Sequence, residues 1–262
     1  MTPPEGSYAS GLLGGDPTAE RERLGGIQDS VDGFTRQTLV GLGLAPDWTC
    51  LELGAGAGSI ARWLAECCTS GSVLAVDTDT ALFGPARAPR LTVHRADITD
   101  GSFRPGRFDL VHARFVLCHL PDRDAVLARA ASWLRPGGVL VITDPYQLPP
   151  GTSPFPSVAR LMAAYEAVHA AAGADLTWSR RVPSLLARAG LRDVGFAARP
   201  GCLGNGAADR WRPLLDAAAQ RMIDSGAVTR HDLDAFRADL ADPAFVDVPQ
   251  LTLAAWGRRP AG

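Results

Sequence analysis

The sequence is 262 residues long, 46% hydrophobic and 21% charged, and its formal net charge at pH 7 is −2. All 26 residues of the Lys and Arg class are arginines, which excludes a Schiff-base lysine, a P-loop lysine and a lysine general base. The near-neutral charge argues against nucleic acid or an anionic membrane as the main partner.

The first predicted elements are an N-terminal arm and a lid helix, together residues 1–45. The arm is rich in Gly, Ser and Pro and carries one aromatic side chain, Tyr8. Asp16 and Pro17 predict a helix start, because Asp is a good N-cap and Pro is favoured at the first helical position. Apolar side chains then recur at steps of three and four residues, which predicts an amphipathic helix bent by a glycine pair.

Short apolar runs alternate with helical ones through residues 46–145. Five runs rich in Val, Leu and Ile are predicted as strands, at 49–53, 72–76, 91–94, 108–113 and 138–143. Two amphipathic segments between them are predicted as helices, at 59–67 and 122–134. This alternation predicts a doubly wound α/β domain, with helices on both faces of a mostly parallel sheet.

Residues 146–262 interrupt the alternation and are expected to belong to the same domain. Helices are predicted at 158–172, 184–189, 209–223 and 231–240, and strands at 194–198 and 251–256. We therefore expect a helical insertion before the last strand, which builds the acceptor pocket, and closing strands that complete the sheet.

Five cysteines fit neither a disulfide framework nor a zinc site, because their number is odd and none forms a C-x-x-C pair. They are Cys50, Cys67, Cys68, Cys118 and Cys202. Reduced, mostly buried thiols are typical of a cytoplasmic protein. The sequence also lacks a signal-peptide pattern and any run of the ~18 apolar residues that a membrane span needs. We therefore expect a cytoplasmic location.

The strongest local signal is a glycine-rich loop between the first strand and the next helix. The segment LELGAGAGS at 51–59 contains Gly54, Gly56 and Gly58, and such glycines let the backbone approach a ligand at the carboxyl edge of the sheet. Asp77 ends the next strand, where a carboxylate can accept hydrogen bonds from both ribose hydroxyls. A tight turn without a ligand and a helix-capping Asp are the alternatives.

Two ligand classes share this arrangement, dinucleotides and S-adenosylmethionine. The dinucleotide fingerprint has a third glycine where this chain has Ser59. An acidic residue, Glu52, also precedes the loop, which is not the rule in dinucleotide sites. A nicotinamide oxidoreductase is therefore disfavoured.

Five motifs within residues 48–145 resemble those of the class I, seven-strand S-adenosylmethionine-dependent methyltransferases. They are LELGAGAGSIARWLA at 51–65, VLAVD at 73–77, HRADITD at 94–100, FDLVHARFVLCHLPD at 108–122 and LRPGGVLVITD at 134–144. Two further segments, ERERL at 20–24 and LAAWGRRP at 253–260, resemble the small-molecule, natural-product branch. The resemblance implies six parallel strands and one antiparallel strand, a cofactor-binding core at 46–145, and S-adenosyl-L-methionine as cofactor with S-adenosyl-L-homocysteine as product.

The same resemblance assigns cofactor-binding roles in four segments: Glu52, Gly54, Ala55 and Gly56; Asp77 and Thr78; Asp97 and Ile98; and Ala113 and Arg114. In that order they would hold the methionine end, the ribose, the adenine, and the sulfonium with the methionine amino group. For Asp97 the alternative is a turn-forming role. Arg114 could instead pair with a substrate carboxylate, or form a structural ion pair at the strand end.

His119 is the predicted general base. Methyl transfer from a sulfonium needs in-line positioning, exclusion of water and removal of a proton. A histidine is suited to deprotonating a phenol, enol or alcohol, and His119 follows the fourth strand, where the mouth of such an active site lies. A ring that packs against the cofactor and a cap on the Leu120–Pro121 turn are the alternatives.

The acceptor is expected to contact side chains that carry a polar tip on an apolar body: Tyr8, Tyr146, Tyr165, His169 and Trp178. Packing on the sheet or on another lid helix is the alternative for the last four. Tyr8 would exclude water beneath the lid, and its alternative is a lone surface aromatic on a loose tail. No set of His and acidic residues has metal-ligand spacing, so we expect no metal, although Asp144 leaves a small opening.

The sequence thus predicts an S-adenosylmethionine-dependent methyltransferase that acts on a small organic acceptor in secondary metabolism. Oxygen is the preferred acceptor atom, followed by carbon or nitrogen. A second class stays open, a methyltransferase-like protein that binds the cofactor but acts as a cyclase or a binding module. We expect no nucleic-acid or membrane partner, and the sequence leaves the oligomeric state open, a homodimer included.

Overall fold

A computed structural model describes residues 17–84, 88–204 and 211–262, and these residues form a seven-stranded sheet. The strands are β1 Thr49–Leu53, β2 Ser72–Asp77, β3 Leu91–Arg95, β4 Phe108–Arg114, β5 Leu134–Gln147, β6 Arg192–Gly204 and β7 Val246–Arg258. Their order is β3-β2-β1-β4-β5-β7-β6. Neighbouring strands from β3 to β5 are parallel, and β7 is antiparallel to both β5 and β6. The predicted α/β class with a mostly parallel seven-strand sheet is confirmed.

Helices cover both faces of the sheet. Those of the described ranges are α1 Pro17–Gly41, α2 Ser59–Cys67, α3 Arg123–Ser132, α4 Pro156–Ala171, α5 Val182–Arg188, α6 Trp211–Asp224 and α7 Arg230–Ala241. α1 and α2 pack on one face, and α3 and α5 on the other. Successive strand residues point to opposite faces, so the neighbours Leu110 and Val111 on β4 lie in different apolar clusters.

α2 is held with its first turn at the carboxyl edge of the sheet. It begins after Gly58, whose left-handed backbone (φ 81°) turns the chain out of β1. Its buried side chains recur at helical spacing and include Ile60, Ala61 and Leu64. Burying one large aliphatic side chain stabilises a fold by roughly 1.5–3 kcal/mol, so this apolar face fixes where the helix starts.

A third apolar cluster is built mainly from α4, α6 and α7. The insertion expected before the last strand is present as α6 and α7, and α4 joins it from the connection between β5 and β6. Aromatic side chains fill much of this cluster, among them Tyr165, Trp211, Phe236 and Phe245. The cluster lies beyond the carboxyl end of β5 and the amino end of the antiparallel β7. We call α4, α6 and α7 the helical cap.

The last three strands extend beyond their predicted ends. β6 continues past Pro200 to Gly204 and stays paired with β7 through a bulge. Proline is tolerated there because β6 is an edge strand, where a missing N–H costs no bond on the open side. β5 likewise continues through Pro145, beyond the point where β4 ends opposite Thr143.

α1 continues as one helix through Gly25 and Gly26, the pair expected to bend it. It packs against α2 and β7 and also contacts α6. No helix within the described part of the chain is long and apolar enough to cross a membrane.

Candidate active site

The glycine turn between β1 and α2 lies against the next strand and the loop after β4. The N–H groups of Gly54 and Ala55 donate to the Val76 carbonyl, at 2.8 and 3.1 Å. Gly54 is left-handed (φ 64°), and a Cβ there would overlap the Val116 side chain. A side chain at Gly58 would overlap the Phe83 ring. The turn therefore needs glycine both for its backbone angles and for its close neighbours.

Asp77 faces this turn from the end of β2. Its Oδ2 accepts a hydrogen bond from the Gly56 N–H at 2.8 Å, and its Oδ1 accepts one from the Asp79 N–H at 3.1 Å. Burial raises the pKa of the Asp77 carboxyl above its ordinary value, although these backbone donors oppose the shift. Thr78 beside it is exposed. The structure thus brings together the two strongest features that the sequence predicted.

Glu52 forms a buried pair with His112. The two residues are directly opposite in the β1–β4 register, and His112 Nδ1 lies 2.6 Å from Glu52 Oε2. Glu52 is only 3% exposed and His112 is fully buried. The Glu52 carboxylate, which the resemblance assigns to the methionine end, is therefore buried just before the glycine turn and hydrogen-bonded to His112.

Arg114 connects the end of β4 to α1 and α2. Its Nη1 donates to Asp32 Oδ1 at 2.8 Å, and its Nη2 donates to Ser59 Oγ at 3.3 Å. The Arg114 and Asp32 side chains are 9% and 14% exposed. This is the ion pair at the strand end that the sequence left as an alternative, and it ties the N-terminal helix to the site.

The loop after β4 carries the predicted general base. Ala113 is buried at the end of the strand, Phe115 is left-handed (φ 55°), and a short 3-10 helix spans Leu117–His119. His119 is half-buried, and its ring centroid lies 6.2 Å from that of His169 on α4. The loop thus lies against the glycine turn through Val116 and approaches α4 through His119.

Asp97 and Ile98 follow β3. The Asp97 carboxylate accepts hydrogen bonds from the Thr99 N–H at 2.8 Å and the Thr99 hydroxyl at 2.6 Å, which is the turn-forming arrangement. Asp97 is also exposed and lines an open groove together with Leu74 and Phe103. Ile98 is buried in the sheet core.

Two of the predicted acceptor residues meet in the helical cap. Tyr165 and His169 are both buried on α4, with ring centroids 4.1 Å apart, and His169 Nδ1 lies 2.8 Å from the Tyr165 carbonyl oxygen. Trp211 adds a third ring, 5.9 Å from Tyr165. With His119, these rings form a continuous aromatic series from the loop after β4 into the cap.

The other predicted acceptor residues lie elsewhere. Trp178 is fully buried in the sheet core, and its indole N–H donates to Asp124 at 2.6 Å; this placement does not support contact with an acceptor. Tyr146 is half-buried, and Arg180 donates to its hydroxyl at 3.4 Å. Tyr8 lies outside the described residues.

Asp32, His112 and Trp211 belong to the site region but were not among the residues predicted for it. Asp32 follows the buried Val31 on α1, so an acidic side chain beside an apolar helical stripe was the available signal. For His112 the signal was a polar residue within a strand buried on both faces. Among the described residues, no group of three or more His, Cys, Asp and Glu side chains could hold a metal ion.

The central part of the chain is similar in sequence to known proteins. A family model described as "Methyltransferase domain" matches residues 51–142. Methyltransferase str3 of Strobilurus tenacellus is 36% identical over 129 residues, covering 48% of this chain and 46% of that protein. Trans-aconitate 2-methyltransferase of Deinococcus radiodurans is 37% identical over 98 residues, covering 36% and 37%. The chain thus spans less than half the length of these two relatives.

A solved structure shows the same fold over nearly the whole chain. Phosphoethanolamine N-methyltransferase 2 of Haemonchus contortus, in complex with phosphomonomethylethanolamine and S-adenosylhomocysteine, superposes with a TM-score of 0.56 at 17% identity. The match covers 95% of this chain and 56% of that one. The match to the family model covers four of the five motifs in full, and residues 51–142 are similar to a methyltransferase domain.

Proposed function

We propose that this protein is an S-adenosylmethionine-dependent methyltransferase that acts on a small organic acceptor. The observation that carries the proposal is that Asp77 faces the glycine turn and accepts a 2.8 Å hydrogen bond from the Gly56 N–H. A carboxylate at this place can accept from ribose hydroxyls, and glycines in such a turn let the backbone approach the amino-acid end of the cofactor closely. S-adenosyl-L-homocysteine is the second product.

The residues around this pair fit the cofactor in chemistry. Asp77 and Thr78 would hold the ribose, and the Asp97–Ile98 segment would contact the adenine beside the open groove. Glu52, Gly54, Ala55 and Gly56 would hold the methionine end, with Glu52 also hydrogen-bonded to the buried His112. The cofactor supplies an electrophilic methyl group on its sulfonium, so the protein needs only to orient the acceptor, exclude water and accept a proton.

His119 is the proton acceptor that we propose. Its ring is half-buried at the end of the loop after β4, on the side that faces His169. A neutral imidazole can take the proton of a hydroxyl as its oxygen bonds to the methyl group, or the proton of an ammonium group before its nitrogen attacks; the S–CH3 bond breaks and S-adenosylhomocysteine leaves. A cap built from α4, α6 and α7 above it can exclude water from this step.

We propose the aromatic series and the helical cap as the acceptor side, with Tyr165, His169 and Tyr146 as contacts and Tyr8 as part of a lid. Oxygen is the preferred atom, followed by carbon or nitrogen. The relatives are named for unlike acceptors, trans-aconitate and phosphoethanolamine, which supports the cap rather than the core as the element that selects the substrate. A role in secondary metabolism is part of the proposal.

Calorimetric titrations with S-adenosylmethionine, S-adenosylhomocysteine and NADH test the cofactor. Transfer of a labelled methyl group to a panel of phenols, carboxylic acids and amines then tests the reaction. Binding of NADH alone would overturn the proposal. A protein that binds the cofactor but never transfers label would instead act as a cyclase or a binding module.

We further propose a cytoplasmic protein without a nucleic-acid or membrane partner, from its near-neutral charge and unpaired cysteines. Light scattering coupled to gel filtration would give its oligomeric state. Mixing with DNA or anionic vesicles at low salt should give no complex, since a near-neutral protein is attracted to neither of these anionic partners.

A further inference from the structure

Asp144 is a buried carboxyl group to which the proposed reaction assigns no task. It follows Thr143 near the end of β5, is 1% exposed, and lies beside the loop that follows β4. Burial raises its pKa to about 7, although hydrogen bonds from the Cys118 N–H and thiol, the Val116 N–H and the charge of Arg123 oppose the shift. A fold retains such a costly group where it satisfies other buried polar groups.

The two oxygens of Asp144 anchor the backbone of the loop. Oδ1 accepts a hydrogen bond from the Val116 N–H and Oδ2 accepts one from the Cys118 N–H, both at 3.1 Å. The Phe115 N–H donates to the Thr143 carbonyl at 2.8 Å. Three successive contacts to β5 therefore hold the loop where its backbone is left-handed at Phe115, a conformation that only well-determined surroundings maintain.

The anchored loop forms one wall of the proposed cofactor site. Val116 packs so closely on Gly54 that no side chain would fit between them. His119 ends the same loop, and the Asp175 N–H donates to the Cys118 carbonyl at 2.8 Å on the side of the helical cap. A shift of this loop would therefore move both the surface over the glycine turn and the proposed base.

We propose that Asp144 is a positioning residue that anchors the 115–119 loop over the glycine turn, so that cofactor binding is coupled to the closed position of this loop. The inference deepens the proposed function and rests on it. Asp144 acts through the loop, without contact to cofactor or acceptor. If closure of the loop favours the cofactor, the cofactor must favour closure by the same factor.

Asp144→Asn tests the anchor because it keeps the size of the side chain but replaces one acceptor oxygen with a donor. We expect the amide hydrogens of Val116 and Cys118 to exchange at least about tenfold faster, as expected when a buried hydrogen bond is lost. S-adenosylhomocysteine, titrated calorimetrically, should bind about tenfold more weakly.

Asp109→Asn is the matched control. Asp109 also accepts a backbone hydrogen bond, from the Thr49 N–H at 2.7 Å, but it lies near the amino end of β4, opposite the site. This variant should speed exchange at Thr49 and leave the affinity for S-adenosylhomocysteine unchanged.

Unchanged exchange at Val116 and Cys118 in Asp144→Asn, or faster exchange with unchanged affinity, would overturn the inference. If that variant fails to fold, the parent protein supplies the test: S-adenosylhomocysteine should slow exchange at these two amides and not at Thr49, and equal rates with and without ligand would overturn it. A parent protein that binds no S-adenosylhomocysteine would overturn the proposed function, whereas an affinity that Asp144→Asn leaves intact overturns only the anchor.

Discussion

Alanine at position 54 tests whether the glycine turn depends on a close approach between two segments. Gly54 has a φ of 64°, a conformation that costs a residue with a Cβ roughly 1–2 kcal/mol. That Cβ would also overlap Val116, and such overpacking lowers the stability of a fold by about 1–3 kcal/mol. Gly54→Ala should therefore lower the free energy of unfolding by about 2–5 kcal/mol.

Gly137→Ala is the matched control for this experiment. Gly137 has a φ of 79°, but nothing lies within 4 Å of its added Cβ, so only the backbone cost of about 1–2 kcal/mol applies. Urea unfolding gives the free energy of each variant, and titration with S-adenosylhomocysteine gives its affinity. Gly54→Ala should lose most of that affinity, because the backbone must shift where the ligand lies. Gly137→Ala should bind like the parent.

A double variant separates the two costs of Gly54→Ala. Adding Val116→Ala removes the methyl groups that overlap the new Cβ and should recover the packing part of the loss, leaving the backbone part. Equal destabilisation by Gly54→Ala and Gly137→Ala would refute the reasoning. So would a double variant whose losses simply add.

Five variants address the site and its supports. Asp77→Ala should weaken S-adenosylhomocysteine binding at least about tenfold, because a charged acceptor is lost; an unchanged calorimetric affinity would remove Asp77 from the ribose site. Arg114→Ala should destabilise the fold by roughly 1–3 kcal/mol in urea unfolding, because it leaves the partly buried Asp32 carboxylate with only the exposed Arg36 as an ionic partner among the described residues. Arg36→Ala removes a 44% exposed partner of the same carboxylate and should cost less than about 0.5 kcal/mol of stability. Equal losses from Arg114→Ala and Arg36→Ala would contradict the argument that burial sets the strength of these ion pairs. His119→Ala should lower the rate of methyl transfer and leave cofactor affinity unchanged, and full turnover would exclude it as the base. Burial raises the pKa of Asp144 from 3.8 to about 7. Between these pH values the native state binds a proton that the unfolded chain releases, so the free energy of unfolding should fall as pH rises. Asp144→Asn should lack this contribution, and identical pH profiles of the parent and the variant in urea unfolding would contradict it.

The core elements could be predicted from the sequence because their side chains carry strong and local signals. The predicted strand 49–53 and helix 59–67 coincide with β1 and α2. Strands buried on both faces must be continuously apolar, and α2 must place apolar side chains on one side. The glycine turn and Asp77 followed for the same reason, since neighbouring parallel strands end at the same edge of the sheet.

Contacts between distant segments could not be predicted in this way. The Glu52–His112 pair depends on the β1–β4 register, which the whole sheet sets. The Asp32–Arg114 ion pair depends on how α1 lies across that sheet. Trp178 has the polar tip expected of an acceptor contact, yet its N–H is satisfied by Asp124 inside the core. Side-chain chemistry alone does not reveal which way a connecting segment faces.

The position of β7 has a consequence for how the chain acquires its structure during synthesis. Within the described residues β6 pairs only with β7, and β7 lies between β5 and β6. The residues of β1 to β5 are synthesised first, but until the residues of β7 emerge β6 has no neighbour and β5 lacks its partner on one side. A nascent chain halted before Val246 would therefore have an unpaired β6 and an open edge on β5, the kind of edge that pairs with other chains.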